Sequence, residues 1–388
     1  MVEVITRDGA QKDAEEKIVG SGPVVRAAML AGTGFGKTRV LCRAGHRLSQ
    51  GRLLVSVPFE HLKKRFRDEY EMLGLDISNV DFVCHVSLNG TDMSMYDTLL
   101  VDEAHLALTD RCMEVYGSWK GNLVMATATL PDDPFLAARL STTCRIVYSI
   151  SLDECVKRGY VAPYRVVCLS IELTEEERRL YKTVSANFGY WKGKLGLDPF
   201  NSAQYFLKSG DSDQKKAALG FFRAIRQRKE LVDHAANKLD VARSLCAALP
   251  GRKLVFGGDN TFSDMLHREI PDSGIYHSSL GKGKADNALQ AFRDGGTDVL
   301  VSTKALNQGL DVPDASVGII CGLTSKSLTM VQRIGRLVRI DPKDPSKTGY
   351  VVVVYVKESQ EEVWLKEALS KLSKAAVSWT DSLTDLTG

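Results

Sequence analysis

The chain has 388 residues, more than a single compact core holds, so two domains are expected. Hydrophobic residues make up 44% and charged residues 26%, the balance of a globular protein; a formal net charge of +3 excludes a globally basic nucleic-acid binder and leaves only a local basic patch. No apolar run reaches the ~20 residues of a membrane helix, the charged N-terminus lacks a signal-peptide core, and the eight cysteines form no CxxC pair, so a soluble protein with buried thiols in a reducing, intracellular (cytoplasmic) setting is expected.

From about residue 23 short apolar runs alternate with amphipathic stretches. "VVRAAML" reads as a strand, "TRVLCRAGHRLS" as a helix, "RLLVSVP" as a strand and "FEHLKKRFRDEYEML" as a charged helix. "YDTLLVDEAH" and "GNLVMATATLP" are further strands. Strands alternating with helices predict a parallel sheet covered on both faces. At residue 173 the rhythm changes to helices, with Thr174 and Glu177 spaced for a capping box. The strand–helix pattern returns at "RKLVFGGD", "GIYHSS", "DVLVSTKAL", "ASVGIICG" and "GYVVVVYV".

The expected division is an α/β domain at 1–150, a linker with the first strand of the second half at 151–172, and a basic helical insertion at 173–248. A second α/β domain follows at 249–360, and a C-terminal helix and tail at 361–388. The tail "VSWTDSLTDLTG" is polar, is expected to be loosely ordered, and carries no assigned role.

"AGTGFGKT", Ala31 to Thr38, lies between the first strand and the first core helix. A strand, a glycine-rich turn and a helix N-terminus aim backbone N–H groups and partial positive charge at one anion. Gly32, Thr33, Gly34, Phe35 and Gly36 would wrap the phosphates of ATP, Lys37 would neutralise them, and Thr38 would ligate Mg²⁺. The strand ending in Asp102 and Glu103 supplies the second element. Asp102 would hold Mg²⁺, largely through water, and Glu103 would orient and deprotonate the attacking water. In the second half, "VQRIGRLVR" spaces Arg333, Arg336 and Arg339 on one helix face, with Gln332 adjacent. Arginines in a separate domain can reach across a cleft to the γ-phosphate and tie hydrolysis to cleft closure.

With these residues in place the chain resembles a superfamily 2 helicase carrying a DEAH motif. "AGTGFGKT" is similar to motif I, "LLVSVPFEHL" to motif Ia, "VDEAH" to motif II and "TAT" at Thr127–Thr129 to motif III. "KLVFGGD", "VLVSTKALNQGLDVP" and "QRIGRLVR" are similar to motifs IV, V and VI. The resemblance implies two RecA-like domains with ATP between them. It implies that Gln332, Arg336, Arg339, Gly309 and Asp311 serve ATP from the second domain, and that His105, Thr127 and Thr129 couple hydrolysis to movement. Ser56, Pro58, Ser302 and Thr303 would meet the nucleic-acid backbone. Gln11 resembles an adenine-reading glutamine, although its spacing from Arg7 is one longer than the usual RxxQ.

"SLDECVKRGYVAPYRV" further resembles the linker of XPB-like, UvsW-like and type III restriction motors. That likeness implies DNA as the partner, single-stranded, forked or branched, in a minimal phage-type motor, monomeric or weakly associating. An RNA helicase on the same architecture, or an ATPase clamp that remodels a protein–DNA complex without separating strands, are the alternatives. In the insertion, Lys215, Lys216, Arg226 and Arg228 interleave with aromatics, a composition that can bind a phosphate backbone and stack bases.

Overall fold

The computed structural model describes residues 6–131, 133–303, 315–324, 348–370 and 372–387. Six strands, β1 (Arg26–Ala31), β2 (Leu53–Val57), β3 (Val80–Cys84), β4 (Thr98–Val101), β5 (Asn122–Thr127) and β6 (Arg145–Ile150), form a parallel sheet in the order β3-β2-β4-β5-β1-β6. Helices α1 (Arg7–Val19), α2 (Lys37–Leu48), α3 (Glu60–Met72), α4 (Asp110–Ser118) and α5 (Pro134–Thr143) belong to this half. The apolar strands are buried on both faces because β1 alternates between two cores. Ala27, Met29 and Ala31 join Val40 and Leu41 of α2, whereas Ala28 and Leu30 join Tyr116 of α4 and Leu140 of α5.

After α6 (Leu152–Lys157) the chain enters β7 (Tyr164–Ile171), the first strand of a second parallel sheet. Its other strands are β8 (Lys253–Phe256), β9 (Gly274–Tyr276), β10 (Val299–Ser302), β11 (Val317–Ile320), β12 (Gly349–Val356) and β13 (Val377–Thr380). The order is β13-β7-β12-β11-β8-β10-β9. Each fully buried Val, Leu or Ile in such a strand contributes roughly 1.5–3 kcal/mol by leaving water. Two RecA-like sheets of this kind agree with the expected fold class.

Between β7 and β8 lie α7 (Glu175–Leu195), α8 (Pro199–Ser209), α9 (Ser212–Asp233) and α10 (Ala236–Ala248). The capping box is present, with Thr174 Oγ1 accepting from the Glu177 amide at 3.3 Å and Glu177 Oε2 accepting from the Thr174 amide at 2.9 Å. Helices α7, α8 and α9 surround their own small core of Leu195, Ala203, Ala218 and Phe221. The expected insertion boundary at residue 248 is corrected. Ala242 and Leu245 of α10 pack with Val255 and Ile319 of the second sheet, so the insertion ends before this helix. The second half is completed by α11 (Asn260–Glu269), α12 (Lys282–Arg293), α13 (Gln360–Leu369) and α14 (Thr384–Thr387).

The tail also departs from expectation. Val377–Thr380 pairs in parallel with Val166–Leu169 as the edge strand β13, and Trp379 meets Tyr355 edge-on at 5.7 Å between ring centroids. An edge strand needs only one hydrogen-bonded neighbour, and its polar alternation reflects the solvent on its other side.

Candidate nucleotide site

The loop between β1 and α2 takes a shape that its sequence makes accessible. Gly34 and Gly36 have φ of 89° and 101°, in the left-handed region that glycine enters without steric cost. Gly36 is the N-cap of α2, so Lys37 and Thr38 open the helix and the first free N–H groups face the loop. Phe35 anchors the loop from below, wholly buried and stacked on Tyr148 at 5.6 Å. The Lys37 ammonium donates to the Ala31 carbonyl at 3.1 Å.

Helix α1 braces the loop from the other side. Arg7 donates to the Gly34 carbonyl at 2.6 Å and to the Phe35 carbonyl at 3.2 Å. Gln11, expected to read adenine, is only 3% exposed, and its Nε2 donates to Phe35 O at 2.6 Å. That expectation is corrected: the amide nitrogen is committed to the loop's own backbone.

At the carboxyl edge of β4 stands the acid pair. Asp102 is 4% exposed, and its Oδ1 is buried without a hydrogen-bond partner among the described residues. Burial raises its pKa, the neighbouring Glu103 charge adds to the rise, and Lys37 opposes it. Glu103 has φ 45° and ψ 51°, a left-handed backbone that costs a side-chain-bearing residue on the order of 1–2 kcal/mol. Its Oε2 lies 3.5 Å from His105 Nδ1. Thr127 Oγ1 donates to the Thr129 carbonyl at 3.2 Å, which leaves it to accept from His105 Nδ1 at 3.1 Å. The motif II histidine and the threonines at the end of β5 are thus in direct contact.

A hydrated divalent cation fits this donor set. A buried carboxylate oxygen lacks a partner, the Thr38 hydroxyl lies in the first turn of α2, and no cluster of three or more His, Cys, Asp or Glu forms a closed cage among the described residues. Mg²⁺ characteristically takes one or two protein oxygens and completes its shell with water and phosphate.

The end of β2 is where expectation and structure part. Ser56, assigned to a phosphate, is 0% exposed and hydrogen-bonded to His85 Nδ1 at 2.7 Å. His85 in turn reaches the Asp102 carbonyl through Nε2 at 3.0 Å. This histidine was not singled out from sequence; the available signal was its position directly after β3, at the sheet edge that carries Asp102. Pro58 is partly exposed.

In the second sheet Ser302 and Thr303 are also buried. Ser302 Oγ donates to Tyr276 O at 2.8 Å, and Thr303 Oγ1 donates to Asn260 Oδ1 at 3.1 Å, so neither hydroxyl is presented outward and their phosphate roles are corrected. Lys215, Lys216 and Arg226 are exposed on the helical insertion. Arg228 is not: it lies over the Phe188 ring at 4.5 Å and donates to Tyr181 Oη at 3.2 Å, packing the insertion's helices together. Gly309, Asp311, Gln332, Arg333, Arg336 and Arg339 fall outside the described residues. All eight cysteines are free and buried, and no described helix is long and apolar enough to cross a membrane.

A glycine-wrapped anion loop, an acid pair on a neighbouring strand end and a second parallel sheet define a two-sheet protein of the P-loop nucleotide-binding class. Residues 238–341 match the helicase conserved C-terminal domain family. The DNA 3'-5' translocase XPB2 of Sulfurisphaera tokodaii is 24% identical over 204 residues, covering 51% of this chain and 45% of that protein. The pre-mRNA-splicing ATP-dependent RNA helicase PRP28 of Cryptococcus neoformans is 30% identical over 161 residues, covering 39% of this chain and 21% of that protein. The fold is similar to that of S. cerevisiae Dbp5 bound to RNA and ADP BeF3, with a TM-score of 0.63 at 14% identity, over 97% of this chain and 91% of that one. The chain belongs to the superfamily 2 helicases. It spans less than half the length of these two curated relatives.

Proposed function

We propose that the chain is an ATP- and Mg²⁺-dependent motor that moves along or unwinds DNA. The observation that carries this reading is the buried, partnerless Asp102 oxygen beside Glu103, with His105 joined to Thr127 at 3.1 Å. Lys37 and the N–H groups at the start of α2 would hold the phosphates, and Thr38 and Asp102 would hold Mg²⁺, which supplies charge neutralisation on the phosphate oxygens. Glu103 takes the proton of the attacking water. Gln332, Arg336 and Arg339 complete the site from the second domain, with Gly309 and Asp311 beside them. The hydrogen bond from His105 to Thr127 carries the state of the acid pair to the end of β5, so that closing and opening of the cleft alternate the grip on a strand. Pro58, together with Lys215, Lys216 and Arg226 on the insertion, remains available as a backbone contact.

DNA is favoured over RNA because the likeness to the XPB2 translocase spans 51% of this chain, against 39% for PRP28. The test is ATP hydrolysis at one fixed salt concentration without nucleic acid and with single-stranded DNA, duplex DNA, forked DNA or RNA, because phosphate-driven binding falls steeply with salt. Stimulation by DNA, abolished in Lys37→Ala, supports the motor. Stimulation by RNA alone assigns the chain to the RNA-directed alternative, and hydrolysis that survives Lys37→Ala overturns the site.

A further inference from the structure

His85 is absent from every motif that defines the site, yet it is buried against the centre of it. Its two ring nitrogens are both engaged, at 2.7 Å by Ser56 Oγ and at 3.0 Å by the Asp102 carbonyl. A carbonyl only accepts, so Nε2 carries the proton and donates to it. Nδ1 is then an acceptor and takes the Ser56 hydroxyl proton. Burial lowers the His85 pKa to about 4, in keeping with a neutral ring that has this single tautomer. The histidine's own carbonyl accepts from Cys112 Sγ at 3.6 Å, and the Asp102 amide donates to Ser56 O at 3.0 Å. The ring is therefore held on two sides, between the end of β2 and the end of β4.

The carbonyl that His85 holds belongs to the Asp102–Glu103 peptide. Rotating that peptide changes ψ of Asp102 and φ of Glu103 together. Glu103 has φ 45°, one of few described non-glycine residues in the left-handed region, and such a backbone persists only when its surroundings over-determine it. The hydrogen bond from a buried, single-tautomer imidazole is such a determinant. Relaxing Glu103 to an ordinary φ would turn the Asp102 carbonyl away from His85 and swing the Glu103 carboxylate off its present line beside His105.

We infer that His85 is a positioning residue for Glu103: together with Ser56 it locks the Asp102–Glu103 peptide in the strained conformation that aims the general base. The inference rests on the hydrolase reading above and adds a residue to it. His85 touches neither nucleotide nor water and acts through the backbone of the acid pair.

The experiment is steady-state hydrolysis with the whole chain, comparing wild type, His85→Phe, His85→Gln and Ser56→Ala, each first checked by thermal unfolding. His85→Phe keeps the ring volume but loses both hydrogen bonds; kcat should fall roughly 10–100-fold, with KM for ATP changed less than about threefold, because ground-state binding does not use the locked peptide. His85→Gln keeps a donor for the carbonyl and should recover most of the loss, and Ser56→Ala should lower kcat by about threefold. In single-turnover assays on a Glu103→Gln background, adding His85→Phe should cost almost nothing more, because two residues acting on one step are not additive.

An unchanged kcat in His85→Phe, a loss shared equally by His85→Gln, or an additive loss on the Glu103→Gln background would overturn the inference. Should His85→Phe fail to fold, an unchanged kcat in Ser56→Ala overturns it instead. A wild type that hydrolyses no ATP under any nucleic-acid condition overturns the hydrolase reading and the inference with it. A wild type that hydrolyses while His85→Phe loses nothing overturns the inference alone.

Discussion

Two buried charge clusters sit at the carboxyl edges of the two sheets, and they are resolved in opposite ways. In the second sheet Lys238 and Glu361 are both 0% exposed, and the ammonium meets Glu361 Oε1 at 2.7 Å, Glu361 Oε2 at 2.9 Å and the Cys321 carbonyl at 2.8 Å. All three protons of the lysine are used, and the carboxylate also accepts from the Val356 amide at 2.9 Å. In the first sheet Asp102 is as deeply buried, yet one oxygen has no partner and Lys37 spends a proton on the Ala31 carbonyl. A satisfied buried pair fastens α10, β11 and α13 together. An unsatisfied one is destabilising by itself and persists where something outside the chain completes it.

The sharpest break in this comparison would come from Lys238→Ala. Leaving Glu361 buried and unpaired should lower stability by about 3–5 kcal/mol, measured by denaturant unfolding. A loss below about 1 kcal/mol would mean that water reaches the pair and the contrast between the two edges is unsound.

Next in size is Glu103→Gln, which should reduce ATP turnover by about 10²–10³-fold, equivalent to roughly 3–4 kcal/mol of barrier, while the unfolding midpoint stays put. A matching drop in stability would assign Glu103 to the fold instead.

Asp102→Asn should move the other way. The carboxylate is charged in the unfolded chain and is disfavoured by burial when folded, so its neutralisation should stabilise the ligand-free protein at neutral pH by about 1–2 kcal/mol. The same variant should lose the upward shift in melting temperature that Mg²⁺ with ATP confers on the wild type. Retention of that shift would remove Asp102 from the metal site.

The smallest effect is expected of Thr127→Val, which removes one hydrogen bond to His105 worth about 1 kcal/mol. Basal hydrolysis should hold within roughly threefold, whereas stimulation by nucleic acid should fall further than basal turnover, as read in the same ATPase series. Equal losses in both would show that the His105–Thr127 contact serves chemistry alone.

Lys37, Thr38, Asp102 and Glu103 were legible because their chemistry is local: a glycine turn between an apolar strand and a helix, and acids at the end of an apolar run. The two sheets were legible for the same reason, since buried parallel strands are continuous apolar runs of four to eight residues. The capping box at Thr174 is also local. What sequence reasoning misassigned was small hydroxyls at strand ends. Ser56, Ser302 and Thr303 sit where the chain leaves a sheet, but whether such a group faces solvent or a neighbouring element depends on what packs over it.

The sequence by itself determined that there are two βα-type halves, a phosphate loop in the first, and an acid pair on a neighbouring strand end, because each is written in periodicities and spacings of a few residues. Only the tertiary structure decided which polar groups complete one another. Ser56 and His85 are 29 residues apart, His85 and Asp102 17 apart, and Lys238 and Glu361 123 apart. Only the folded sheets bring them within hydrogen-bonding distance, and burial there makes every missing partner costly. That cost marks Asp102 as a place for a ligand and leaves His85 to hold the peptide beside it.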